Sequence, residues 1–461
     1  MHTIPPGLRP LALGLLAGVF AAAFEGIAVA TAMPAAAADL GQIEWYAWAF
    51  SLYMVGMLTG AVTAGRLADR RGPLLPLALA LTVFALGLLV AGFAGAMPVL
   101  LIGRLIQGLG AGGLNVGLYF VTAHAFPDEA RPFMMTLFSA CWVLPAFIGP
   151  PVAAWVTRTW SWHWVFLGVV PLAVIAALLV LPPLRRLQAE HVITEGVQLV
   201  PAWVGLVLSA AAVLVQYAGQ LLADPATWNG PTVAVGMGAA AGGLLLLGVG
   251  LPRLMPPGFI RLAQGLPSVM VTRALVAGSF FGAEAFIPLM LVELHGASLT
   301  VAGMMLTVGS SGWFIGSWLQ SRPWFSVQRH MMIVWGAAAV GCGIAGTALV
   351  AWLPGLWVGF AWLIWPLAGL GMGLMTASTG LAQMTLSSKA EQGRNASALT
   401  SGESLGISIV TGLAGTIFAA LHFTAAPTIG FGAPLTAMVV VAGLSVLVAA
   451  RIGPVRAPTT A

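Results

Sequence analysis

Charge is what this sequence has least of. Only 7% of its 461 residues are Asp, Glu, Lys or Arg, against about 25% in a soluble domain, while 59% are hydrophobic. No globular core absorbs so much apolar chain, which excludes a soluble protein and leaves a polytopic membrane protein. Lysine is nearly absent: Lys389 stands alone beside seventeen arginines. With abundant Ala and Gly, that suggests a GC-rich bacterial genome. The basic residues sit singly or in pairs at loop edges, so the net charge of +5 is no nucleic-acid footprint. Two cysteines, Cys141 and Cys342, lie inside apolar runs and read as small packing residues, not a disulfide or metal pair. The sequence has no phosphate-binding Walker loop, no metal-ligand cluster and no Ser/His/Asp constellation in a loop. An enzyme, a bound cofactor and a nucleotide as energy source are therefore not expected. The first apolar run is too long for a cleavable signal.

What is present is a series of apolar runs, each near the roughly 20 residues that span a bilayer. Fourteen are legible, at roughly 11–34, 43–68, 74–95, 98–122, 132–157, 163–183, 200–222, 231–251, 266–291, 299–321, 330–353, 355–386, 394–421 and 430–450. Assigning the loops alternately, with both termini cytoplasmic, puts fifteen of the eighteen basic residues inside and only Arg158 outside; Arg104 and Arg273 fall within runs. That asymmetry is the positive-inside rule. Two segments match at a distance. Gly65 to Arg71 parallels Gly316 to Arg322, an offset of 251, and Gln107-Gly108-Leu109-Gly110 parallels Ala368-Gly369-Leu370-Gly371, an offset of 261. Related halves are a transporter habit, with the site between them; chance likeness of Gly-rich helices is the alternative. The expected organisation is a six-helix half over 1–186, a cytoplasmic linker at 187–199, a lipid-facing two-helix insertion at 200–252 and a second six-helix half over 253–461.

A charge inside a bilayer costs about 3 kcal/mol on insertion scales, so each one asks for a function. Glu25, Arg104, Arg273, Glu284 and Glu403 qualify. Glu25 in the first run and Arg104 in the fourth lie at depths of roughly 14 and 9 Å from their outer ends, at 1.5 Å per residue, close enough to pair. A Glu held by Arg stays ionised, and one without Arg in an apolar pocket is pushed toward neutrality. Switching between the two loads and releases a proton; a static structural bridge is the alternative. Glu403 follows Ser397, Thr400 and Ser401, and either binds a cation or second proton or is satisfied by those hydroxyls or water. Arg273 and Glu284, eleven residues apart, share a helix face but are too far apart to touch, and Glu284 stands near a possible cavity mouth. Glu293 and His295 read as solvated loop residues. Trp142, Trp313 and Trp335, deep in runs, line a pocket or simply pack.

Gly65-Arg66-Leu67-Ala68-Asp69-Arg70-Arg71-Gly72 closely resembles the loop between helices 2 and 3 of the major facilitator superfamily, G-x-L-a-D-r-x-G-r-k, with Pro73 and Leu74 where two more basic residues usually stand. Phe24 to Pro34 looks like the first-helix motif of the fourteen-helix drug:proton antiporters, with Glu25 for the Asp. Arg104 to Gly112 is similar to their fourth-helix R-x-x-Q-G-x-G-a-a, while the matching place in the second half is Trp365. Of their fifth-helix G-x-x-x-G-P-x-x-G-G only Gly149-Pro150 remains; the missing glycines depart from the antiport pattern. The resemblance implies an all-α major facilitator fold of two six-helix halves plus two central helices. It implies proton transfer at Arg104, a cytoplasmic gate at Gly65, Asp69, Arg70, Arg71 and Gly72, and close helix packing at Gly108, Gly112, Gly149 and Pro150. The function it implies is proton-coupled export of amphiphilic or cationic small molecules by a monomer in the bacterial inner membrane. An exporter or flippase of a lipid or endogenous metabolite, a polytopic membrane enzyme acting on lipids and a non-transporting sensor are the rival readings.

Overall fold

A computed structural model of the chain describes residues 4–127, 130–187, 201–223, 228–322, 324–325, 327–353, 355–388, 391–422 and 426–455. The linker expected at 187–199 lies outside them but for Leu187, as do Asp224 and Lys389. The described residues form α-helices and short 3-10 turns, with no strand among them. In order they are α1 (Arg9–Leu40), α2 (Trp48–Arg71), α3 (Leu74–Gly92), α4 (Met97–Ala125), α5 (Arg131–Thr159), α6 (His163–Leu167), α7 (Val170–Leu187), α8 (Ala202–Leu222), α9 (Gly230–Leu254), α10 (Leu266–His295), α11 (Leu299–Gln320), α12 (Arg329–Trp352), α13 (Gly359–Leu386), α14 (Gln392–Leu421) and α15 (Pro427–Ala449). With the short α6 and α7 taken as one segment, fourteen are long and apolar enough to cross a membrane.

Helix ends follow local chemistry. Proline opens α1, α4, α5, α9, α10 and α15, where its missing N–H has no partner to lose. The Asn229 and Ser298 side chains accept from the backbone N–H groups of Thr232 and Val301 to cap α9 and α11. Gly296, at φ +62°, ends α10 while the Ala297 N–H reaches back to the Leu291 carbonyl at 2.9 Å, a closure that needs the left-handed conformation. Gly65 to Arg71 belongs to the last turns of α2, not to a loop. Arg70 and Arg71 are favoured there by the partial negative charge of the helix end. Only Gly72, at φ +76°, and Pro73 make the turn.

The chain divides into two units, residues 1–42 with 52–205 and residues 43–51 with 206–461. In the first, α1 packs on α5 and α7, and α3 on α4. In the second, α13 lies between α11 and α12, and α10 packs on α14 and α15. The two units repeat one packing scheme. A Cβ at Gly56 or Gly60 of α2 would strike the carbonyls of Leu105 or Leu109 of α4, and one at Gly312 or Gly316 of α11 those of Pro366 or Leu370 of α13. Likewise Gly108 and Gly112 abut the Tyr53 and Met57 carbonyls, as Gly369 and Gly373 abut those of Gly309 and Trp313. The offset is 261 residues between α4 and α13, as the sequence match has it, but 256 between α2 and α11. The match of Gly65 with Gly316 is thus replaced by Gly60 with Gly316. Register here is set by the glycines that let two backbones touch, not by polar letters at the helix ends.

The segment 200–252 is not lipid-facing throughout. Along α8, Leu208, Ala211, Ala212 and Ala218 are buried, and its Gln216 lies against Gly412 of α14. Only α9 is mostly exposed, seated on α8 through Gly236, Gly243 and Gly250.

Candidate coupling and cargo sites

The middle of α1 and the first third of α4 meet at an ion pair. The Arg104 guanidinium donates from Nη1 to Glu25 Oε1 and to Gln107 Oε1 at 2.8 Å, one turn along its own helix. It lies over the Tyr53 ring, 4.4 Å from the centroid. Glu25 is 0% and Arg104 2% exposed; Glu25 Oε2 accepts no hydrogen bond among the described residues. A buried pair of this kind is stable only while both partners remain, since removing one strands the other's charge. Gly149 of α5 faces α1 beside it, with Ile27, Ala28 and Phe24 at ordinary van der Waals distance from a Cβ built there. Close packing therefore does not demand glycine at 149, whereas it does at Gly108 and Gly112. Pro150 is buried within α5.

The second unit holds a separate pair that sequence reading left unjoined. Arg273 on α10 grips Glu403 on α14 with both arms of its fork, Nε to Oε1 at 2.8 Å and Nη2 to Oε2 at 2.9 Å. Its Nη1 donates to the Thr376 carbonyl at 2.7 Å and the Thr379 hydroxyl at 3.0 Å on α13. Glu403 is thus satisfied by arginine, not by its neighbouring hydroxyls; Thr400 donates to the Ala396 and Ser397 carbonyls of its own helix instead. Nothing local announces a pair 130 residues apart. Glu284 has no hydrogen-bond or ion-pair partner among the described residues, and is half-buried.

Trp365, in the place of Arg104, is wholly buried and stacks on Phe280 at 5.0 Å between centroids. The helix pair that carries an ion pair in one unit carries a ring stack in the other. Tyr53 was missed from sequence; its carbonyl is the one Gly108 abuts, one helical turn along α4 from Arg104. Glu293 and His295 are helical, not loop residues: Glu293 Oε2 is 3.7 Å from His422 Nε2, and His295 Nε2 is 3.2 Å from the Val350 carbonyl. Trp142 and Trp335 are exposed on the surface. In the α2 end motif, Gly65 has room for a Cβ, with Val116 3.6 Å away, and Arg70 and Arg71 are exposed; the Asp69 side chain lies outside the described residues.

Fourteen membrane-length helices in two similarly packed sets, with charged pairs inside them, define a multi-pass membrane protein of transporter type. A sequence model of the Major Facilitator Superfamily matches residues 15–411, and the chain belongs to that family of transporters. It is similar to "Multidrug resistance protein 3" of Bacillus subtilis (strain 168), 29% identical over 330 residues, covering 70% of this chain and 63% of that protein. It is also similar to "MFS thioclapurine efflux transporter tcpA" of Claviceps purpurea (strain 20.1), 26% identical over 379 residues, 80% of this chain and 69% of that one. The chain thus spans less than two thirds of the Bacillus relative's length. The fold is shared with a D-xylose-proton symporter, at a TM-score of 0.61 and 16% identity over 97% of each chain. It is shared too with the POT family transporter PepTSo, at 0.66 and 14% over 97% of this chain and 98% of that one.

Proposed function

We propose that this transporter exports amphiphilic or cationic small molecules in exchange for protons, as a monomer in a bacterial inner membrane with both termini cytoplasmic. The observation that carries the reading is the sealed Glu25–Arg104 pair. Such a pair persists as a unit until a rearrangement opens it. Opened, Glu25 takes up a proton and releases Arg104; closed, the arginine reclaims the carboxylate and expels the proton. Alternating access supplies the opening, to one side and then the other. Each proton entering down 100 mV contributes about 2.3 kcal/mol, enough for roughly a fiftyfold gradient of a neutral cargo. The names of two relatives, a multidrug resistance protein and a thioclapurine efflux transporter, support export. Arg70 and Arg71 at the end of α2, with Asp69, belong in this reading to the cytoplasmic gate, and Gly72 to its turn.

The test is energised efflux of a fluorescent cationic dye from cells expressing wild type, Glu25→Gln or Glu25→Asp at equal surface levels. Wild type should pump, Glu25→Gln should not, and Glu25→Asp, which keeps the carboxylate, should recover part of the rate. Efflux by Glu25→Gln at the wild-type rate would remove Glu25 from coupling.

A further inference from the structure

Helix α10 is the most enclosed of the long helices in the second unit. Between Val276 and Leu291, two side chains alone are not buried, Phe281 and Glu284. They are three residues apart, hence neighbours on one face. Across from them on α11, the Trp313 ring lies 6.1 Å from the Phe281 ring and 5.7 Å from Phe280, edge-on to the latter. Trp313 also keeps part of its surface open. By helical phase it points away from the exposed stripe of α11 formed by Met304, Ile315 and Trp318, so its opening is not that of the helix's outward side. The Phe280–Trp365 stack stands behind it. Gly309 makes that stack possible, since a Cβ there would overlap the Trp365 indole.

The window therefore offers two ring faces and, one turn further along, a carboxylate with no partner among the described residues. The nearest cation along the same face, Arg273, is three turns away and held by Glu403. An unpaired carboxylate at membrane depth is costly, and aromatic faces attract cations that shed their water readily. A cation in the window is the ligand that would hold Glu284 as an ionised carboxylate; an anion or a neutral molecule would not. We propose that Phe281, Trp313 and Glu284 form the subsite for the positive end of the cargo, a lipophilic ammonium or phosphonium. Unit 1 then handles the proton at Glu25 and unit 2 the charge of the cargo. This rests on the export reading above and goes further in naming where the cargo's charge sits.

The experiment is equilibrium binding of tetraphenylphosphonium, and of an uncharged phenylnaphthylamine, to the purified full-length protein. Wild type should bind both. Glu284→Gln and Trp313→Ala should each weaken tetraphenylphosphonium by about tenfold and leave the uncharged probe within about twofold, while Trp313→Phe and Glu284→Asp should retain most binding. Unchanged tetraphenylphosphonium affinity in Glu284→Gln would overturn the proposal, as would loss of both probes together, which marks a structural role. Failure of wild type to bind the cation would overturn it too. Glu25→Gln separates the two readings: if its dye efflux is normal while Glu284→Gln loses the cation, coupling at Glu25 fails and the subsite stands.

Discussion

Arg104 is a long cation enclosed almost completely in apolar helices, and its cost is offset by Glu25, Gln107 and the Tyr53 ring together. Losing one partner of such a buried pair costs about 3–5 kcal/mol, more than the pair is worth against apolar residues of equal size. Arg104→Leu should therefore lower the melting temperature of the purified protein markedly. The double variant Glu25→Leu with Arg104→Leu should recover most of that loss while transport stays absent; a double variant as unstable as the single one would contradict the pairing energetics. His422 is a different case. It sits just beyond the end of α14, stacked on Phe418 and edge-on to Phe431, and this burial holds its imidazole below the usual histidine range. The unfolded chain then takes up the proton first. Stability is full above about pH 6.5 and falls as pH drops toward the folded value, with the nearby Glu293 carboxylate at 3.7 Å the one acid facing it from α10. Melting at pH 7.5 and 5.5 should show a smaller acid-induced loss in His422→Gln than in wild type.

At the scale of the helices, glycine decides how near two backbones come. Gly108 and Gly112 on α4 and Gly56 and Gly60 on α2 leave no room for a methyl group, because the opposing atoms are backbone and cannot rotate aside. Gly108→Ala or Gly369→Ala should destabilise by about 1–3 kcal/mol, read as reduced yield of folded protein and a lower melting temperature. Gly238→Ala and Gly443→Ala, with nothing within 4 Å of the added atom, should be silent. The same contrast reaches the borrowed motifs. Gly149 tolerates a Cβ, so the eroded fifth-helix motif is eroded in geometry as well as in letters. Gly72 does not, because its positive φ is disfavoured for any side chain.

For the whole molecule, the distribution of arginine predicts an orientation that labelling reads directly. After both native cysteines, Cys141 and Cys342, are replaced by alanine, Gly95→Cys in the exposed turn between α3 and α4 should react with a membrane-impermeant maleimide in intact cells. Arg451→Cys, exposed after α15, should react only once the membrane is opened. The reverse pattern would invert the proposed sidedness and with it the direction in which protons drive cargo.

The fourteen spans, the helical class and the family were legible in the sequence because each follows from local quantities: length of an apolar run, a proline or glycine at its edge, a motif a few residues long. The separate charges were legible too, since a charge in an apolar run is conspicuous on its own. Their partners were only half so. Glu25 with Arg104 could be matched by depth and by motif, yet Arg273, too far from Glu284 on its own helix to touch it, had no partner legible in the sequence, and its fork closes on Glu403, 130 residues away. The register of the repeat was missed by five residues for the same reason. Which side chain faces which depends on helix rotation and on backbone contact at Gly60, Gly108, Gly316 and Gly369. Those are settled by packing across helices, and no single helix carries them in its own sequence.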